Sequence, residues 1–273
     1  MIFKSLIIEV YFWLKKLLYD LFPRSKYYLQ IKEWEDKNKL RKNPRMYTVF
    51  RLEGEDATKN ALFSSFKLGI KSNMIFRGYI GKIASLLPPC SLQQFLFRLA
   101  GLIIEKDIFI APELTIDIVV NGWTRFRKGS SYGIGVKCFN HLFEQNGRII
   151  LGYIDVGEKT SIGGFVILTP GVKIGRNADI GAEVKIGPGV TIGDNVKIGA
   201  GVMIAPFVKI GEGSVITTCS VVLQNVSPFT KVQGNPAKPV PWKIKSRKPK
   251  MDLIVNNDLN KSNKEVLQSK RVN

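Results

Sequence analysis

Between Val156 and Val222 an aliphatic residue stands at every sixth position without a miss. The series is Val156, Ile162, Leu168, Ile174, Ile180, Ile186, Ile192, Ile198, Ile204, Ile210, Ile216 and Val222. Glycine follows most of them, as in Ile162-Gly163, Ile174-Gly175 and Ile186-Gly187. A period of six matches neither a helix, at about 3.6, nor a simple strand, at about 2, so the pattern marks a repeat architecture. The residue two after each aliphatic divides the hexads further. Gly164, Ala182, Ala200 and Thr218 form one series, Pro170, Pro188 and Pro206 a second, and Glu158, Arg176, Asp194 and Glu212 a third. Members of each series lie 18 residues apart, so three hexads make one coil with three distinct corners. Coils stack one strand spacing apart, roughly 4.8 Å. The small, proline and charged series then run as three ridges along a triangular prism. The aliphatics point inward, helped by valines two positions earlier (Val166, Val172, Val184, Val190, Val196, Val202, Val208), which predicts a three-sided β-helix.

The pattern outside the prism predicts two appendages. Residues 1–22 read as an amphipathic helix, with Lys4, Ser5, Glu9, Lys15, Lys16, Tyr19 and Asp20 inside about 160° of arc and a broad apolar, aromatic remainder. Its charges interrupt any run of about 20 apolar residues, so the expectation is a helix lying on a membrane surface or docked on protein, not one crossing a bilayer. Residues 24–60 are charged and partly helical, with Pro44 as a break, and residues 61–87 are apolar and basic, suited to a second interfacial element. Ser91–Gly101 reads as a helix with Ser91 as N-cap, leading into hexads at Ile104, Ile110 and Ile116. Beyond Pro241 the chain is rich in Lys, Asn and Ser, the composition of a disordered basic tail. The expected organisation is thus a helical, basic region over 1–103, the β-helix over 104–240 and the tail over 241–273.

Charge sharpens this division. Residues 150–222 hold six basic and six acidic side chains, whereas 1–103 hold 18 and 8, and 238–273 hold 10 and 3. The excess positive charge therefore lies on the appendages, where an anionic membrane is the expected partner; no nucleic-acid motif accompanies it. Cys90, Cys138 and Cys219 have no paired spacing, which speaks against a disulfide framework or a cysteine zinc site and suits a reducing, cytoplasmic setting at the inner face of a membrane.

The hexads, together with the closing Val232-Gln233-Gly234-Asn235-Pro236-Ala237-Lys238, resemble the left-handed β-helix acyltransferases of the hexapeptide-repeat superfamily, in the branch acting on sugars and xenobiotics. The resemblance covers about residues 100–240 and implies a left-handed parallel β-helix, a homotrimer with sites between subunits, and acetyl-CoA as co-substrate without a metal. Ile104, Ile110, Ile116 and Ile134 share one phase of the hexad and Val156 onward another, so the chain is expected to leave the coil between Ile134 and Ile150. That excursion, the expected catalytic loop over 138–150, contains His141, the only histidine in the chain. Transfer of an acetyl group to a hydroxyl or amine needs a base near neutral pH, and imidazole, with an ordinary pKa of about 6.5, suits it. In the enzymes this chain resembles, a histidine in such a loop is that base, which points to His141. Asn140 and Asn146 become candidate substrate contacts and Glu144 a candidate orienting carboxylate. The resemblance also implies that Gly164, Ala182 and Ala200 line a groove for the pantetheine arm, with Lys238, or else Lys231, meeting the phosphates of the donor.

The expected activity is O-acetylation of a sugar, polysaccharide or glycolipid hydroxyl. N-acetylation of an amino-sugar, a serine acetyltransferase-like reaction, and a non-catalytic membrane-tethered scaffold are the alternatives. One histidine cannot supply the three metal ligands of a carbonic anhydrase on this fold.

Overall fold

The computed structural model describes residues 26–39, 45–51, 71–117, 119, 122–144 and 147–241. The amphipathic stretch 1–22, Asn146 and the tail beyond Pro241 lie outside these residues. The prism has the predicted three sides, each a parallel sheet of short strands. Side one runs from Leu102–Ile104 through Thr124–Phe126 and Ile154–Val156 to Lys209–Ile210 in six strands. Side two runs from Phe109–Ile110 to Lys231–Gln233 and is closed by an antiparallel return at Lys238–Pro239. Side three runs from Thr115–Ile116 to Val221–Val222, also in six strands. Successive coils pair in register, Ile162 with Ile180 and Ile180 with Ile198, so the repeat of 18 is one full coil.

All twelve key aliphatics are buried, at 4% exposure or less, as are the helper valines. Burying such a side chain contributes roughly 1.5–3 kcal/mol, so this continuous stack is the dominant stabilising element of the prism. Where glycine follows the aliphatic, the coils approach closely: a Cβ on Gly157 would lie 2.2 Å from the Gly175 carbonyl oxygen of the next coil. In the early coils Phe126 and Tyr132 replace aliphatics inside the prism, with ring centroids 3.7 Å apart. The Tyr132 hydroxyl meets Ser130 Oγ at 3.1 Å, and burial pushes its phenol well above the usual range.

Among the described residues, three helices precede or cap the coils: α1 (Lys26–Lys39), α2 (Lys71–Leu86) and α3 (Ser91–Leu99). The cap of α3 falls one residue earlier than expected. Cys90 is the extended N-cap, its Sγ accepting from the Gln93 amide, because Ser91 already has helical backbone. Gly101 ends the helix at φ +105°, a conformation that favours glycine. Strand β1 (Tyr47–Arg51) pairs antiparallel with Arg148–Gly152. A second apolar cluster, separate from the prism interior, gathers Tyr27, Ile31, Trp34 and Phe50 with Val119, Trp123, Ile149 and Leu151. The N-terminal elements are thereby fastened to the segments that leave the coil.

Candidate active site

Among the described residues, two segments leave the prism, and both leave at the corner between side three and side one. The first connects Ile116 to Thr124 and the second connects Cys138 to Ile154. Inward positions pass from Ile116 to Phe126, ten residues where a side takes six, so the phase of the hexad changes here. From Cys138 to Val156 the count is 18, so the second excursion inserts two whole hexads and leaves the phase intact. This corrects the expected position of the slip: Ile134 is a corner residue, 43% exposed, and not part of the inward stack. The second excursion is a hairpin of His141–Phe143 against Arg148–Gly152, to which β1 adds a third strand.

Because the two excursions leave successive coils at one corner, the first lies directly against the root of the second. Asp117, at the start of the first, turns its carboxylate onto His141. Asp117 Oδ2 accepts from the Asn140 amide (2.8 Å) and the His141 amide (3.1 Å), and it meets His141 Nδ1 at 2.5 Å. Its Oδ1 accepts from the Val119 amide at 2.8 Å. The carboxylate is buried, at 1% side-chain exposure, while the imidazole keeps 20%. Phe143 packs edge-on to the ring at 5.4 Å between centroids. The arrangement fixes the ring's orientation from one nitrogen, the placement a general base requires.

Asn140 is 1% exposed and its amide is fully engaged: Oδ1 accepts from Thr124 Oγ1 (2.7 Å), and Nδ2 donates to the carbonyls of Gly152 (2.9 Å) and Trp123 (3.2 Å). It ties the roots of both excursions together, a correction to the expected substrate contact. Glu144 lies one strand length from the ring and pairs with Arg148 at 3.3 Å; the carboxylate that orients His141 is Asp117. Beneath the site, burial first and then the nearby Asp117 push the Cys138 thiol far above its usual range.

Gly164, Ala182 and Ala200 stack as predicted, with the Glu183 amide donating to the Gly164 carbonyl and the Gly201 amide to the Ala182 carbonyl, both at 2.8 Å. Their ridge continues through Thr218 to Gly234, where the chain folds back so that Lys238 pairs with Gln233. Lys231 stands two residues before that bond on the same strand, and Lys238 is exposed at the ridge's end. The structure therefore brings the small residues and both lysines together. It places them at the corner between sides two and three, one side away from His141 of the same chain. Asp117 was missed by the hexad reading. Counting Phe126, Tyr132 and Cys138 as inward residues would have moved the phase change to residues 117–123 and singled it out.

The repeats carry their own classification. A model described as bacterial transferase hexapeptide (six repeats) matches residues 189–224, and one described as hexapeptide repeat of succinyl-transferase matches residues 171–206. Residues 171–224 are therefore hexapeptide repeats of the kind described for bacterial transferases. No curated protein sequence matches it significantly. Among solved structures, a GDP-perosamine N-acetyl transferase variant from Caulobacter crescentus is 18% identical, with a TM-score of 0.32, over 55% of this chain and 65% of that one. This chain thus spans 65% of that enzyme's length. A maltose O-acetyltransferase from Clostridium difficile 630 is 19% identical over 62% of this chain and 86% of its own, with a TM-score of 0.39. AntD, an N-acyltransferase from Bacillus cereus, is 18% identical over 65% and 100%, with a TM-score of 0.38.

Proposed function

We propose that this protein is an acetyl-CoA-dependent O-acetyltransferase acting on a sugar, polysaccharide or glycolipid hydroxyl, with His141 as general base. The observation that carries the reading is the buried Asp117 carboxylate seated on His141 Nδ1. With Nδ1–H donating a hydrogen bond to the Asp117 carboxylate, the neutral ring presents Nε2 as the base. The acceptor hydroxyl gives its proton to Nε2 as its oxygen forms a bond to the thioester carbonyl carbon. The tetrahedral oxyanion then collapses, the C–S bond breaks, and the thiolate of CoA takes the proton from the imidazolium. Backbone amides near the reacting carbonyl are the proposed oxyanion donors, and no metal enters the step.

The same geometry would serve an amine, so amino-sugar N-acetylation differs only in the acceptor. The separation of His141 from the small ridge within one chain supports a homotrimer, in which the ridge of a neighbouring subunit supplies the pantetheine groove. Lys238 at the end of that ridge is the proposed phosphate contact, with Lys231 beside it. Peripheral membrane association through residues 1–22 is part of the same reading, and among the described residues no helix is long and apolar enough to cross a membrane.

The test is release of CoA thiol from acetyl-CoA in the presence of a panel of neutral and amino sugars. Wild-type turnover that disappears in His141→Ala, with acetyl-CoA affinity retained, is the expected result. Products stable to mild alkali would mean amide formation and hence N-acetylation. Turnover unchanged in His141→Ala would sink the assignment, and no acetyl-CoA binding at all would favour a scaffold.

A further inference from the structure

On side one, beside the root of the catalytic loop, α1 and the prism enclose a cleft of about 590 Å³. Its size lies within the range of small-molecule sites, about 300–1,000 Å³. Five cations line it, Lys39, Arg45, Arg125, Arg127 and Lys173, against two carboxylates, Glu35 and Asp155. Both carboxylates are already taken. Arg127 forks onto Asp155 at 2.8 and 2.7 Å, and Lys39 meets Glu35 at 3.2 Å. Among the described residues, Arg45, Arg125 and Lys173 have no carboxylate within 4.0 Å.

These three cations come from separate elements, and each side chain is exposed to the cleft and to solvent. Arg125 and Lys173 project from strands on either side of Asp155 in the ladder of side one. Arg45 is carried by a clamp in which buried Asn38 accepts from its amide (2.8 Å) and donates to its carbonyl (3.0 Å). The next residue is pinned too, the Tyr153 amide donating to the Met46 carbonyl at 2.7 Å. Converging three like charges on a concave surface is unfavourable unless an anion offsets it. Guanidinium forks match phosphate oxygens pairwise, and an ammonium group adds a point charge. Trp123 and Tyr153, stacked at 4.5 Å, form the wall shared with the root of the His141 loop.

We propose that this cleft is a binding site for the phosphate groups of a ligand of the pyrophosphate class, held beside the catalytic loop. The proposal does not depend on His141 acting as a base. The phosphates have two sources, the nucleotide end of the acyl donor or a phosphorylated acceptor.

The test is calorimetric titration of the full chain with inorganic pyrophosphate, comparing wild type with the double variant Arg125→Glu/Lys173→Glu at fixed ionic strength. Saturable binding by wild type, weakened about tenfold or more in the double variant, is expected. Arg45→Gln, on a different element, should weaken it too, which keeps the test meaningful if the charge reversals disturb the sheet. His141→Ala should bind pyrophosphate as wild type does, so failure of the catalytic reading and failure of this one are separable. Equal binding by all variants, or none by wild type, overturns the proposal. Acetyl-CoA titrated into the same pair assigns the source: parallel loss identifies the donor, and unchanged affinity in the double variant identifies the acceptor.

Discussion

Asp117 is the residue on which the catalytic reading turns. One buried carboxylate collects the amides of Val119, Asn140 and His141 as well as the imidazole, so it shapes the loop and orients the ring together. These two roles separate by substitution. Asp117→Asn keeps the shape but turns an oxygen acceptor into a donor against N–H groups, so turnover should fall about 10²–10⁴-fold, close to the loss in His141→Ala. Asp117→Ala should in addition lose thermal stability, since each buried donor left without a partner costs about 1–3 kcal/mol. Steady-state rates and melting curves on the same three variants distinguish the effects; an Asp117→Asn enzyme of wild-type rate would remove Asp117 from the mechanism. Cys138, buried inside the prism, offers a separate residue-scale check. Burial and the neighbouring carboxylate raise its pKa, so its reactive thiolate is suppressed at ordinary pH. A thiol reagent at mildly alkaline pH should titrate exposed Cys90 and Cys219 in the native chain, with the third thiol appearing only on unfolding.

At the scale of the element, the coil is governed by how closely one backbone lies on the next. Gly157 faces the Gly175 carbonyl at a distance no Cβ tolerates, and the atoms it would meet are backbone of the next coil, which cannot swing aside as a side chain would. Gly157→Ala should therefore destabilise the prism by about 1–3 kcal/mol or more, whereas Glu158→Ala, one residue further into an exposed corner, should stay within about 0.5 kcal/mol. Thermal unfolding of the two variants checks the contrast. The same close stacking explains what could be read from the chain. A coil that must repeat at strand spacing imposes strict periodicity from Val156 to Val222, and there the sides, corners and ridges were all legible. The excursions obey no period. The hairpin adds two whole hexads and so leaves no trace in the phase, while the shorter insertion after Ile116 shifts it. The shift was displaced to Ile134 because an aliphatic-only pattern passes over Phe126, Tyr132 and Cys138 and accepts an isoleucine that happens to stand in phase. His141 was singled out by its chemistry; the carboxylate seated on it lies 24 residues earlier, and only the stacking of successive coils reveals it.

At the scale of the whole molecule, the prism works as a ruler that holds two candidate functional edges one side apart. One edge carries Asp117 and His141 and is buttressed by α1 and β1; the other is the small ridge of Gly164, Ala182 and Ala200, ending near Lys238. A rigid solenoid does not bend one corner onto the next, so a single chain does not bring its own small ridge to His141. In the proposed trimer, the rotation that relates subunits sets the His141 edge of one against the ridge of its neighbour. Two inactive proteins then make a test. His141→Ala lacks the base but keeps its ridge; Ala200→Trp obstructs the ridge but keeps its base. Unfolded together and refolded as mixed assemblies, they should recover about a quarter of wild-type activity, because a site between random neighbours is intact only when both contribute their sound edge. Sedimentation of the same mixture should show one species of trimeric mass. Refolded mixtures that are trimeric yet inactive would place base and groove in the same chain and send the search for the donor site back to the corner that holds His141.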